Sequence, residues 1–185
     1  MMENLVFFLE GPSEKDFLLG LLPRILPAHI TPHFQIFQGK QDLERQLVRR
    51  MKHWLLPHTG FLVLRDQDSA DCRAVKHGLR MLCAEAGRPD AVVRIACREL
   101  ETFFVGDWPA VAAGFDKPGL AALAKKAKYR DPDLLGSPAL EIKQHVATFQ
   151  KREGARRIAP HLDPAHNRSH SFRILVQSIQ GFATA

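Results

Sequence analysis

The sequence predicts an α/β fold, a mostly parallel four-stranded sheet flanked by helices, with a helical C-terminal part. Three observations predict it. Four short segments, Leu5 to Leu9, Thr31 to Phe37, Phe61 to Leu64 and Ala91 to Ala96, have strand length and composition. The stretches between them carry apolar residues at helical spacing. Such strand–helix alternation places crossover helices on both faces of a parallel sheet.

Leu5 to Leu9 is a compact apolar run, read as a fully buried strand and broken by Glu10-Gly11-Pro12-Ser13. Ser13 is the expected N-cap of the next helix, with Asp16 in the capping-box position. That helix carries Phe17, Leu18, Leu21 and Leu22 and ends or kinks near Pro23. Thr31 to Phe37 alternates weakly as a second strand. Gly39-Lys40 then opens a helix from about Gln41 to Trp54, with Leu43, Leu47 and Met51 inward. Phe61 to Leu64 is the third strand, Asp71 to Ala86 the following helix, and Ala91 to Ala96 the fourth strand. Beyond Asp107 the pattern is mainly helical. It gives short helices at Gly119 to Tyr129 and Gly154 to Leu162, an amphipathic helix from Leu140 to Lys151, and a last helix from Ser171 to Phe182. A chain of 185 residues is expected to form one domain, an α/β core over 1–107 and a helical, basic extension over 108–185.

Hydrophobic content of 45% and charged content of 25% are globular values that exclude wholesale disorder. Leu5 to Leu9 is too short for a signal-peptide core or a membrane span. Three cysteines without CxxC spacing point to a reduced, cytoplasmic chain and away from a zinc ribbon. The net charge of +6 is unevenly placed. Lys117 to Arg173 holds twelve Lys and Arg against five Asp and Glu, whereas residues 1–116 hold fourteen against fifteen. An acidic centre beside a basic surface suits phosphodiester chemistry: carboxylates hold metal, and Lys and Arg hold the backbone. The plainer alternative is a basic surface that serves solubility.

The acidic centre starts at Asp66-Gln67-Asp68, directly after the third strand. Side-chain alternation puts Asp66 and Asp68 on one side, where two repelling carboxylates are relieved by a divalent cation. A solvated acidic turn is the competing explanation. Glu10 stands at the tip of the first strand, and Glu14 lies in the first helical turn, where acid is favoured. Sites in parallel sheets form beyond the strand C-termini, where these residues fall. Glu99 and Glu101 follow the fourth strand. They share a face if the strand continues and diverge by roughly 200° if a helix begins. For a nucleic-acid backbone the basic candidates are Lys125, Lys126, Lys128, Arg152, Arg156, Arg157 and Arg168. A haloacid-dehalogenase motif would need Thr or Val where Ala70 stands, and His161, His166 and His170 match no standard metal spacing.

Taken together, a hydrophobic strand ending in Glu10-Gly11, a helix, and a second strand ending in Asp66-Gln67-Asp68 resemble the Toprim domain of topoisomerases, primases and overcoming-lysogenization-defect nucleases. More closely, the chain resembles a bacterial domain-of-unknown-function family of the Toprim-like clan, the 4276 family. The stretches that carry this are Phe7 to Glu14, Val63 to Asp68, Arg98 to Phe104 and Ser169-His170-Ser171-Phe172. The resemblance implies Mg2+- or Mn2+-dependent nuclease chemistry on DNA or RNA, with one or two ions. Glu10, Glu14, Asp66, Asp68 and Glu99 or Glu101 would then be ligands, Glu10, Asp66 and Asp68 would also act in catalysis, and Lys151 would be the late catalytic lysine. It also implies a separate ATPase subunit in an anti-phage setting, since the chain has no GxxxxGKS/T of its own. No membrane partner is expected, and a homo-oligomer stays open. The rival is a non-catalytic Toprim-like module that binds nucleic acid or an ATPase and regulates it.

Overall fold

The computed structural model describes residues 2–182. Strands β1 (Asn4–Leu9), β2 (Thr31–Ile36), β3 (Thr59–Asp66) and β4 (Val92–Ala96) form one sheet in the order β2-β1-β3-β4, with every pair parallel. The chain is thus α/β, as the alternation predicts. Its helices are α1 (Pro12–Leu21), α2 (Lys40–Lys52), α3 (Cys72–Glu85), α4 (Thr102–Val105), α5 (Trp108–Gly114), α6 (Pro138–His145), α7 (Lys151–Ile158) and α8 (His170–Gly181).

Strand alternation divides the core in two. Leu5, Phe7 and Leu9 of β1 and Leu62 and Leu64 of β3 point to one face, where α1 and the C-terminal helices cover them. Val6, Phe8, Phe61 and Val63 point to the other, against Leu43, Leu47 and Met51 of α2 and Leu79 and Cys83 of α3. Both central strands are buried on both faces, which is why they read as unbroken apolar runs. Cys72, Cys83 and Cys97 are all free thiols. No helix among the described residues is long and apolar enough to cross a membrane.

Several boundaries differ from the sequence expectation. Gly11, in extended backbone, caps α1 with Pro12 as its first residue, so Ser13 lies inside the helix. Asp16 forms no capping box and instead pairs with Arg152 and Arg156 of α7. The helix expected over Leu140 to Lys151 stops at His145. Val146 leaves helical geometry, and the Phe149 ring turns inward onto Gly154, where a Cβ would lie 2.1 Å from it. Lys151 therefore opens a new helix and does not close the old one. Residues Pro118–Lys125 and Ala127–Tyr129 form 3-10 turns.

Candidate metal centre

The site is built where β1, β3 and β4 end. Parallel register sets Leu9 beside Leu64 and Asp66 beside Ala96, so Glu10 and Asp66 emerge at one edge. The Asp66 backbone N–H donates to Glu10 Oε2 at 3.2 Å, tying the two strand tips together. The bend at Glu10-Gly11 starts α1 at once, and that carries Glu14 back over the same edge. A Cβ at Gly11 would approach Glu14 Oε2 to 3.3 Å, so the glycine leaves room for this carboxylate. The Ser13 hydroxyl donates to Glu14 Oε2 at 3.3 Å.

After β4 the chain turns sharply through Arg98, which has a φ of 63°, into α4. This settles how Glu99 and Glu101 diverge. Glu101 sits at the α4 N-terminus with only 1% of its surface exposed, fixed by Phe103 and Phe104 in the core beneath. Glu99 turns outward and accepts from the Ala139 backbone N–H at 2.9 Å, satisfying a donor in the first turn of α6. The Ser169-His170-Ser171-Phe172 stretch buttresses this turn. Ser169 caps α8, Ser171 Oγ accepts from Cys97 N at 3.4 Å, and neighbouring Asn167 donates to Phe103 O at 2.8 Å.

Lys151 arrives on α7, which packs closely on α1. A Cβ at Gly20 would meet Ala159 just beyond α7 at 2.8 Å. Lys151 Nζ lies 3.1 Å from Glu99 Oε2 and 3.4 Å from Glu101 Oε2. The second contact is an ion pair without hydrogen-bond alignment, because both Glu101 carboxylate oxygens are buried without a hydrogen-bond partner. Asp66 Oδ1 shares that condition, with 9% of Asp66 exposed.

Electrostatics identify Asp66 as the centre of the cluster. Burial, then the charges of Glu14, Glu101 and Glu10, push its carboxyl well above the usual range. Burial followed by Glu14 raises Glu10, and burial raises Glu14. Burial also raises Glu101, outweighing the lowering effect of Lys151. Burial by itself would lower the Lys151 ammonium, but Glu101 and Glu99 more than offset this and hold it above its ordinary value. Among the described residues no group of three or more His, Cys, Asp or Glu forms a ready-made metal cage. Lys151 is the cation that Glu14, Asp66, Glu99 and Glu101 share.

Asp68 departs from the sequence expectation. Its φ of 56° breaks the strand alternation, and Asp66 is the last strand residue, so the two aspartates do not lie on one strand face. Asp68 is paired with a cation, Lys40 Nζ lying 2.8 Å from its Oδ2, and Glu10 has Arg65 Nε at 3.9 Å from its Oε2, whereas Asp66 has no ion-pair partner among the described residues. Arg65, buried, also binds Glu44. These two cations were the residues missed from sequence. Alternation carried a signal for Arg65, since it shares the face of Phe61 and Val63 and so opposes Asp66. Lys40 is brought in by the positive-φ turn at Gly39, which left no comparable signal. A pocket of about 290 Å3 opens beside the acids, lined by Asp68, Ser69, Arg98, Glu99, Gly136 and Ser137.

The basic candidates do not gather at this edge. Arg152 and Arg156 bind Asp16, at 2.8 and 3.2 Å. Lys128 binds Glu141 at 2.7 Å, Arg157 donates to Gly114 O at 2.7 Å and pairs with Glu153, and Arg168 donates to Ala124 O. Lys125 and Lys126 are exposed and have no ion-pair partner among the described residues. His166 pairs with Asp163 at 2.9 Å, away from the acidic cluster.

Comparison with curated proteins and with solved structures gives no match. The profile of a family described as a domain of unknown function, DUF4276, matches residues 9–180, a span that takes in all six carboxylates and Lys151, and the chain belongs to that family.

Proposed function

We propose that the chain is a divalent-metal-dependent phosphodiester hydrolase of the Toprim kind, a nuclease for DNA or RNA. One observation carries this reading: Asp66 Oδ1 is buried with neither a hydrogen-bond nor an ion-pair partner, beside Glu101, whose buried oxygens meet only the Lys151 ammonium at 3.4 Å, and among further carboxylates. Buried carboxylates left so are costly unless protonated or bound to a cation. Six acids, Glu10, Glu14, Asp66, Asp68, Glu99 and Glu101, face three cations, Lys40, Arg65 and Lys151, and Arg65 is shared with Glu44. The donor set is all oxygen, which suits Mg2+ or Mn2+. Asp66, Glu14 and Glu101 would hold the ion, with Glu10 completing the set from the β1 tip.

When bound, such an ion supplies Lewis acidity toward a phosphoryl oxygen and a more acidic water. The remaining work belongs to the protein. Glu10, raised above the ordinary carboxyl range, can take or return a proton at its carboxylate. Lys151 stays charged and offsets negative charge developing on a phosphate. Arg98 lines the adjoining pocket, which gives a phosphate a place beside the acids. A separate ATPase partner and an anti-phage role rest on the Toprim resemblance alone.

Plasmid, single-stranded DNA and RNA incubated with Mg2+ or Mn2+ test this, alongside Asp66→Ala and Glu10→Ala. Metal-dependent cleavage lost in both variants is expected. Cleavage that survives both substitutions sinks the hydrolase reading as stated, and no cleavage by the wild type, with or without an ATPase partner, favours the regulatory module.

A further inference from the structure

The outer face of α3 carries a row of basic residues that the C-terminal charge count did not reveal. Arg73, Lys76, His77 and Arg80 recur at helical spacing on one side of the helix. They line a groove of about 480 Å3 that ends on Met81 and Pro89. None of Arg73, Lys76 and Arg80 has a carboxylate or hydrogen-bond partner among the described residues, in contrast to Arg152, Arg156, Arg157 and Lys128. Arg80 also lies near Arg94 of β4, where after burial it helps hold that guanidinium below its ordinary value. The row starts near Asp68, the outer carboxylate of the acidic edge: Asp71 caps α3, three residues after it in sequence.

We propose that this face of α3 binds the sugar-phosphate backbone of a nucleic acid running away from the acidic site. Arg73 to Arg80 span about 10 Å along the helix axis. One strand of a duplex presents a phosphate about every 3.4 Å, so roughly three phosphates fall within reach. Met81 and Pro89 give the far end an apolar floor suited to sugars and base edges. An acidic protein would satisfy the same charges, but the row leads out from carboxylates arranged for phosphodiester chemistry, which favours the nucleic acid. The inference deepens the hydrolase reading and rests on it for the kind of polyanion bound.

The test uses the full chain in EDTA, so that binding is read without cleavage, with labelled DNA duplex, single-stranded DNA and RNA. Fluorescence anisotropy is followed as salt is raised. Combined Arg73→Ala, Lys76→Ala and Arg80→Ala should weaken binding at least about tenfold and lower the salt slope by about 3, one per phosphate contact. Arg73→Lys with Arg80→Lys should retain the slope, and circular dichroism checks the fold of each variant. Three results overturn the inference: no wild-type binding, an unchanged slope in the triple variant, or displacement by polyglutamate as effective as by unlabelled DNA. The last would assign the face to an acidic protein. Binding through α3 with no metal-dependent cleavage would sink the hydrolase reading alone. Cleavage with normal binding by the triple variant would sink this inference alone.

Discussion

On the α1 side of the β3 tip, Asp66 is sealed among Glu14, Glu101 and Glu10, with one oxygen unpartnered and its carboxyl pushed well above the usual range. On the α2 side, two residues later, Asp68 is 39% exposed and bound to a half-exposed lysine. Water screens the second carboxylate and Lys40 neutralises it; neither remedy reaches the first. Side chains that look equivalent in sequence thus sit in opposite electrostatic regimes. The inner side concentrates uncompensated charge, the arrangement that binds a cation or holds a proton. The outer side faces the pocket of Arg98 and Ser137, where a substrate would approach.

The sharpest way to break this contrast is to neutralise each aspartate without changing its shape. Asp66→Asn should reduce metal-dependent cleavage by about 10³-fold or more, the scale seen when a directly acting group is lost. Asp68→Asn should cost about tenfold, the lower end for a supporting group. Equal losses would show that the inner and outer carboxylates act as one set.

Lys151 sharpens the contrast from the other direction, because it is the cation the inner acids hold when no metal is present. Lys151→Met should tighten Mn2+ binding about tenfold, measured by calorimetry, by removing a competing charge. It should still slow cleavage by about 10²-fold, since the ammonium would no longer offset charge on the phosphate. Without metal the variant should lose about 1–2 kcal/mol of stability, a value discounted because the Lys151 side chain is half exposed. Weaker metal binding would instead make Lys151 a support for the ligands.

Much of the fold was legible because it depends on local pattern. The apolar runs of β1 and β3 and the helical spacing in α2 and α3 are read residue by residue, and strand ends then locate Glu10 and Asp66. The pairing of charges was less legible. Asp16 looked like half of a capping box, yet its partners are Arg152 and Arg156, more than a hundred residues away. Composition placed the basic excess after Lys117, but it cannot tell an arginine used up inside the fold from one left open to solvent. Local sequence also could not show that Glu99 caps α6 while Glu101 is buried, because a single positive-φ residue, Arg98, separates their fates.

The smallest expected effect is on stability, and its sign follows from proton binding. Asp66, Glu10, Glu14 and Glu101 are all raised, so the folded chain keeps protons that the unfolded chain releases. Between the ordinary values, 3.8 for Asp and 4.5 for Glu, and the raised folded values, the folded state binds more protons and stability falls as pH rises. Asp16 and Asp163 are shifted the opposite way: after the cost of burial Asp16 is lowered by Arg152 and Arg156, and Asp163 chiefly by His166. Their contribution is complete above 3.8 and fades below it, leaving the decline above that pH to the inner carboxylates and to Asp107, which burial also raises. Thermal unfolding in EDTA should therefore show a melting temperature that drops as pH rises from about 4.5. Asp66→Asn, neutral at every pH, should flatten that drop and be more stable than the wild type by about 1 kcal/mol at neutral pH. Excess Mg2+ should narrow the difference by stabilising only the chain that keeps the carboxylate. Parallel wild-type and Asp66→Asn curves would mean that Asp66 is no more strained than Asp68, and the inner side would lose its claim to the metal.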